Sequence, residues 1–150
     1  MIVYRLTTGK YVNDISGEGA RLHGGRWNPA GIAALYTSQH ISLCILEIIA
    51  RANKNTSPDS YTLISIEIPE KDIIEIQLKK LIADWQFNPE YTSWIGGEFL
   101  KGNQSLALKV PSAIVHQEHN YLVNPQHVEF EYVKIIKTEL LELDKRLRQY

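Results

Sequence analysis

The sequence predicts a single α+β domain built on a twisted mixed sheet. Its 150 residues are 44% apolar, enough to close one hydrophobic core and too few to make a second. Short runs rich in β-branched and aromatic residues outnumber stretches with helical periodicity, and the two kinds are mixed along the chain. No tract of biased composition, internal repeat or linker divides residues 1–150, so they are read as one unit.

Residues 2–6 read as a first strand, followed by a polar, glycine-containing loop from Thr7 to about Gly25. Structureless loops longer than about 12 residues are uncommon unless they carry function, which makes this one a candidate binding loop. Ala33–Thr37 reads as a short strand. Residues 41, 44, 45, 48, 49 and 52 are apolar at the spacing of one helix face, so a helix is expected from Ile41 to about Ala52.

Tyr61–Ile68 alternates as a strand, and Pro69, which has no N–H for a ladder, separates it from a shorter one at Ile73–Ile76. Leu78–Ala83 suggests a helical turn. Pro89–Leu100 has near-helical spacing of Tyr91, Trp94, Ile95 and Phe99, with Gly96 and Gly97 each weakening it by about 1 kcal/mol relative to Ala. Leu106–Val115 reads as a strand broken at Pro111, 120–125 as a loop, and Phe130–Ile136 as a last strand before a charged tail.

Composition excludes several functions. Sixteen Lys and Arg against seventeen Asp and Glu give a net charge of -1, which supplies no basic field for nucleic acid. A lone cysteine, Cys44, cannot close a bridge within the chain and fits a reducing compartment. The N-terminus lacks the continuous apolar region of a secretory signal, and the most apolar stretch, 32–50, is interrupted by Gln39, His40 and Glu47. A soluble, cytoplasmic protein without a membrane span is expected.

Known motifs are absent. Gly17 and Gly19 begin like a dinucleotide fingerprint, but Leu22 stands where the third glycine belongs and no helix is expected after it. His116 and His119 lie in H-Q-E-H rather than the zinc-protease order, and read as ordinary polar residues at a strand end; no metal site is expected.

Several residues could carry chemistry. Glu47 lies inside the 41–52 helix among apolar neighbours, where a carboxylate loses hydration unless a partner compensates; it is either a site residue or an i, i+4 partner of Arg51. Arg26 follows Gly24 and Gly25, which let a ligand approach the backbone, and its planar fork suits phosphate oxygens; Trp27 beside it offers a flat face, and a turn with a surface ion pair is the plainer alternative. Arg5, on the first strand, is expected on a solvent face by alternation. Tyr36 ends the strand before the Glu47 helix, so both could project into one cleft, although core tyrosines are commoner. Ser112 follows Pro111 at a strand break, and Asn120 and Asn124 flank Tyr121; such positions contact ligands or form turns.

These residues stand in an order that resembles the RES domain, a family named for Arg, Glu and Ser positions. The resemblance runs through Tyr4-Arg5, GEGARLHGGRWNPAG at 17–31, ALYTS at 34–38, SLCILEIIAR at 42–51 with Glu47, VPSAIV at 110–115 and NYLVNPQH at 120–127. The tail LELDKRLRQY follows the family's ending only loosely. The resemblance implies an ADP-ribosyltransferase-like fold and a toxin of a type II toxin–antitoxin system that degrades NAD⁺ at the nicotinamide–ribose bond. It implies Glu47, Arg5 and Ser112 as catalytic residues and Arg5, Arg26, Tyr36, Ser112 and Asn120 as NAD⁺-binding residues. No cofactor is expected, since NAD⁺ would be the substrate, with inorganic phosphate a candidate co-substrate. The implied partner is an Xre-like helix-turn-helix antitoxin, with a homodimer possible inside the complex. The alternatives are an ADP-ribosyltransferase toxin that modifies a protein and a non-catalytic module that binds phosphate or an acidic partner.

Overall fold

Among the described residues seven strands form one mixed sheet: β1 (Ile2–Thr7), β2 (Leu35–Ser38), β3 (Ser60–Glu67), β4 (Ile73–Glu75), β5 (Ala107–Pro111), β6 (His119–Val123) and β7 (Lys134–Glu142). They are accompanied by the helices α1 (Glu18–His23), α2 (Ile41–Arg51) and α3 (Pro89–Gly102). The structure is a computed structural model and describes residues 1–51 and 60–148. Ala52, placed by the sequence at the end of the second helix, lies outside the described residues, as does Tyr150.

Spatial order in the sheet is β4-β5-β6-β2-β1-β3-β7. All neighbours are antiparallel except β4 and β5, and that parallel pair needs a long crossover, which the segment holding α3 supplies. β1 pairs with β3 along its whole length, from Ile2↔Glu67 to Thr7↔Thr62. On its other side β1 meets β2 at one Cα pair, Tyr4↔Ser38. The sheet is therefore knitted tightly at β1/β3 and β5/β6 and opens between β1 and β2.

Alternation along the strands splits the core between the two faces. Leu35, Tyr121 and Val123 join Val3, Ile64 and Ile66 on one face. Leu108, Val110 and Leu122 join Trp27, Trp85 and Leu100 under α3, while Leu6, Tyr61 and Leu63 pack with Cys44 of α2. Burying apolar side chains on both faces is the main stabilising contribution, about 25 cal/mol per Å² removed from water.

Gly96 explains why α3 tolerates glycine in its interior. A Cβ there would stand 1.8 Å from the Trp27 carbonyl oxygen, so the helix can lie against the 25–28 backbone only without a side chain. Asn88 caps this helix, its Oδ1 accepting from the Tyr91 N–H at 3.1 Å, with Pro89 at the first turn.

Four elements differ from what the sequence predicts, the first being the strand expected over Leu106–Val115, which stops at Pro111 as β5 and gives way to a turn. The long loop after β1 contains a 3-10 turn and α1; the helix begins right after Gly17, whose φ of 75° and close approach to the Ala34 backbone both require glycine. Residues 119–123 form β6 rather than a loop, because pairing with both β2 and β5 overrides the low strand preference of asparagine. The expected strand at 130–136 is instead a 3-10 turn at Val128–Tyr132 followed by β7, which continues to Glu142 through residues that read as charged tail. Among the described residues no helix is long and apolar enough to cross a membrane.

Candidate active site

The opening between β1 and β2 is a cleft of about 230 Å³. Tyr4 and Arg5 of β1, Tyr36 and Ser38 of β2, Glu47 and Arg51 of α2, and Asn120 of β6 contribute to its lining. The topology accounts for this gathering. β2 lies between β1 and β6, and α2 follows β2 after two residues, which brings its inner face over the gap.

Glu47 sits at the centre of the polar contacts, with its side chain 16% exposed. Its Oε1 accepts from Asn120 Nδ2 at 2.6 Å and from Ser112 Oγ at 3.0 Å, and Oε2 lies 3.7 Å from an Arg51 guanidinium nitrogen. Glu47 thus pairs loosely with Arg51 one turn on and also lines the cleft. Two short donors fix one oxygen, which sets the rotamer and leaves the second oxygen with the weaker, longer contact.

Arg5 lines the cleft rather than facing solvent. Its Nη1 donates to the Tyr36 carbonyl at 3.4 Å, across the gap where the β1/β2 ladder has opened, and its Nε is buried with no hydrogen-bond partner among the described residues. Burial pushes its pKa down, and the Asp14 carboxylate opposes that shift. A guanidinium with an unmatched buried donor gains from an anionic or acceptor group entering the cleft.

Tyr36 links the cleft to the glycine-rich turn. Its hydroxyl donates to Asn28 Oδ1 at 2.7 Å and accepts from the Trp27 N–H at 2.9 Å. Burial raises its pKa to about 12, so it remains a neutral donor. Arg51 lies over its ring, 5.8 Å from the centroid, within cation–π range. Asn28 in turn donates to the carbonyls of Ala20 and Ile32 at 2.9 Å each, so one buried amide holds the turn between α1 and β2 in shape. Tyr36 therefore presents its ring to the cleft while its hydroxyl braces the 25–28 turn.

Ser112 is fully buried and does not line the cleft. Besides donating to Glu47, its Oγ accepts from the N–H groups of Ile114 and Val115 at 3.0 and 3.1 Å. It positions Glu47 rather than touching a cleft occupant. Asn120 lines the cleft and keeps a buried Oδ1 with no partner among the described residues.

Arg26 is placed differently from Arg5. Its Nη1 donates to the Gln86 carbonyl at 2.8 Å, and it is not part of the cleft lining, although its charge reaches the Tyr36 hydroxyl. Trp27 has no free face: it is 2% exposed and packs against Trp85 at 5.8 Å. His116 packs against Trp85 in a tilted arrangement with ring centroids 5.9 Å apart, and His119 stands beside Glu75. Among the described residues no group of three His, Cys, Asp or Glu is placed to hold a metal ion. Arg51 is the cleft residue that the sequence reading used only as a structural alternative; its signal was the i, i+4 spacing from Glu47 itself.

A charged cleft set into the opening of a mixed sheet defines this as an α+β protein built around one carboxylate and its guanidinium neighbours. The chain belongs to the RES-domain toxin family, with residues 2–144 matching the RES domain. It is 38% identical to "Toxin Res" of Photorhabdus laumondii subsp. laumondii over 151 residues, covering 98% of this chain and 97% of that protein. It is 30% identical to "Prs ADP-ribosylating toxin" of Sphingobium sp. over 140 residues, 90% of this chain and 87% of that protein. Its fold matches a chain in the crystal structure of the M. tuberculosis MbcT–MbcA toxin–antitoxin complex with a TM-score of 0.77 at 21% identity, covering 99% of this chain and 86% of that one.

Proposed function

We propose that this chain is the toxin of a toxin–antitoxin pair and that it cleaves NAD⁺ at the nicotinamide–ribose bond, passing the ADP-ribosyl group to water or inorganic phosphate. The observation that carries this reading is the setting of Glu47: a largely buried carboxylate, oriented by Ser112 and Asn120, in a cleft it shares with Arg5.

The chemistry needs what that setting offers. When the glycosidic bond breaks, its electron pair returns to the pyridinium nitrogen and nicotinamide leaves neutral, so no general acid has to protonate it. Positive charge grows on the ribose, and a fixed carboxylate stabilises it most where it develops. The oxygen of water or phosphate then bonds to the ribose carbon, giving ADP-ribose and a proton or ADP-ribose 1-phosphate. A volume of about 230 Å³ falls short of the ~300–1,000 Å³ that encloses a drug-sized ligand, and so fits the nicotinamide–ribose end rather than the whole dinucleotide.

Arg5 would take a phosphate or ribose oxygen. Arg26, with one N–H committed to Gln86, has four others for the pyrophosphate. Asn120 Oδ1 would accept from a ribose hydroxyl or the nicotinamide amide, and the Tyr36 ring would pack against the sugar or base. NAD⁺ is the substrate here, so no cofactor is required. The partner in this reading is an Xre-like helix-turn-helix antitoxin that blocks the cleft in the cytoplasm; the toxin names of the relatives and the complex solved for the M. tuberculosis fold neighbour support an antitoxin partner of some kind.

The test is chromatography of NAD⁺ incubated with the pure protein, with and without phosphate. Nicotinamide release with ADP-ribose, or with its 1-phosphate when phosphate is present, is expected; unchanged NAD⁺ under both conditions overturns the proposal. A second reading, transfer to a protein side chain, is favoured by the name of the Sphingobium relative. It would appear instead as a mass shift on one protein of a lysate with slow NAD⁺ loss.

A further inference from the structure

Arg51 lines the cleft with its side chain 59% exposed, whereas Arg5 is held deeper, with a buried Nε. The Arg51 guanidinium lies beside two groups that attract cations, the Glu47 carboxylate at 3.7 Å and the face of the Tyr36 ring at 5.8 Å. Those two groups are the ones that receive the nicotinamide–ribose end in the NAD⁺ reading, and that end is itself a cation. The protein thus sets a positive charge of its own where the positive charge of the substrate would come to lie.

Neither contact holds Arg51 firmly. A charge-assisted N–H···O bond is about 2.7–2.9 Å long, well short of 3.7 Å. The short bonds from Asn120 and Ser112 go to Glu47 Oε1, while Arg51 lies against Oε2. An i, i+4 ion pair with one exposed partner contributes little, so it is broken at small cost. Displacing the guanidinium frees Oε2 and leaves the bonds that orient the carboxylate in place. The size of the cleft supplies the second half of the argument. Its volume of about 230 Å³ takes the nicotinamide–ribose end, which leaves the diphosphate at the mouth, on the side where the exposed guanidinium stands.

We propose that Arg51 is a displaceable counter-ion: it holds the cation site of Glu47 and Tyr36 until a pyridinium takes that site, and then turns to the diphosphate of the same ligand. This rests on the NAD⁺ reading of the cleft and adds selectivity to it. A pyridinium nucleoside without phosphates has to expel Arg51 and offers it no new partner. The dinucleotide expels it and provides one, so Arg51 makes the cleft select the diphosphate-bearing form.

Calorimetry with two half-ligands tests this. N1-methylnicotinamide carries the pyridinium charge with no glycosidic bond to break, and ADP-ribose carries the diphosphate with no cation. Arg51→Gln changes an exposed helix position to another good helix former, so it should fold as the wild type does. It is expected to bind N1-methylnicotinamide about two- to fivefold more tightly, because the competing charge is gone, and ADP-ribose about tenfold or more weakly, because the phosphate contact is gone. In a Glu47→Gln background the gain for N1-methylnicotinamide should fall away, since no carboxylate remains to hold Arg51 over the site. A gain that persists there would be a general effect of charge and would overturn the proposal. Shifts of the same sign, or none, while the wild type cleaves NAD⁺ overturn this inference alone. Absence of binding by either half-ligand together with unchanged NAD⁺ overturns the NAD⁺ reading as well.

Discussion

Ser112 and Glu47, 65 residues apart, are joined by a 3.0 Å hydrogen bond in which a fully buried hydroxyl donates to the carboxylate that faces the cleft. The same oxygen accepts two backbone N–H bonds from the turn after β5, so the turn's shape and the carboxylate's rotamer are one unit. Ser112→Ala removes the donor and leaves two backbone N–H groups of the turn without their side-chain acceptor, at a cost of about 1 kcal/mol in stability. Because Ser112 is not in the lining, its loss should lower kcat for NAD⁺ cleavage by about tenfold or more with little change in KM. A KM effect equal to the kcat effect would show that Ser112 touches the substrate.

Glu47→Gln tests the charge itself. The side-chain amide keeps an oxygen for Ser112 and Asn120, so shape and fold are retained while the negative charge is lost. Turnover of NAD⁺ should fall by about 10²-fold or more if the carboxylate stabilises a developing cation. Retained turnover in a variant with a wild-type unfolding midpoint would remove Glu47 from the chemistry.

Tyr36→Phe separates the two roles of that residue. The ring remains in the cleft, but the Trp27 N–H and Asn28 Oδ1 lose their shared partner. Stability should drop by about 1–3 kcal/mol, read from urea denaturation, and NAD⁺ affinity by calorimetry should weaken because the 25–28 turn loosens. Unchanged stability would mean that the hydroxyl does not brace the turn.

The helix α2 and the strands β1 and β3 were legible because apolar periodicity and strand-forming residues agree there with the tertiary outcome. Gly96 was legible only as a cost, since its benefit, contact with the Trp27 carbonyl, involves a residue far away in sequence. β6 was hidden because His119 and Asn120 are poor strand formers, and β7 because an edge strand carries the charges of a tail. In the site, Glu47 stood out as a carboxylate on an apolar helix face. Arg26 and Trp27 looked equally available to a ligand, yet one is tied to Gln86 and the other fills the core. Local sequence shows which side chains could reach a ligand, and packing decides which of them are free to do so.

The contact at Gly96 gives a paired prediction. Gly96→Ala places a Cβ 1.8 Å from a backbone oxygen, and neither partner is the free end of a side chain, so α3 must move from the turn that Tyr36 braces. A loss of about 1–3 kcal/mol or more is expected from the overpacking. Gly102→Ala, where nothing lies within 4 Å, should leave stability unchanged or raise it by up to about 1 kcal/mol through helix propensity. Equal effects at both positions would contradict the close approach of α3.

Alkaline pH should weaken the fold through Cys44 first. Its thiol is 6% exposed on α2, and burial raises its pKa from 9.0 to about 11. Above pH 9 the unfolded chain loses this proton while the folded chain keeps it, so the folded state binds more protons and stability falls as pH rises. The contribution is fully present below 9 and disappears on approach to 11, with a slope of about 1.4 kcal/mol per pH unit in between. Tyr36 acts in the same sense at higher pH, from 10.0 to about 12. Urea denaturation at about pH 8.5 and about pH 10.5 should show the wild type losing stability between the two. Cys44→Ala should lose less, keeping only the tyrosine share; an identical loss in both proteins would mean that the thiol is not desolvated by the packing of α2 on β1.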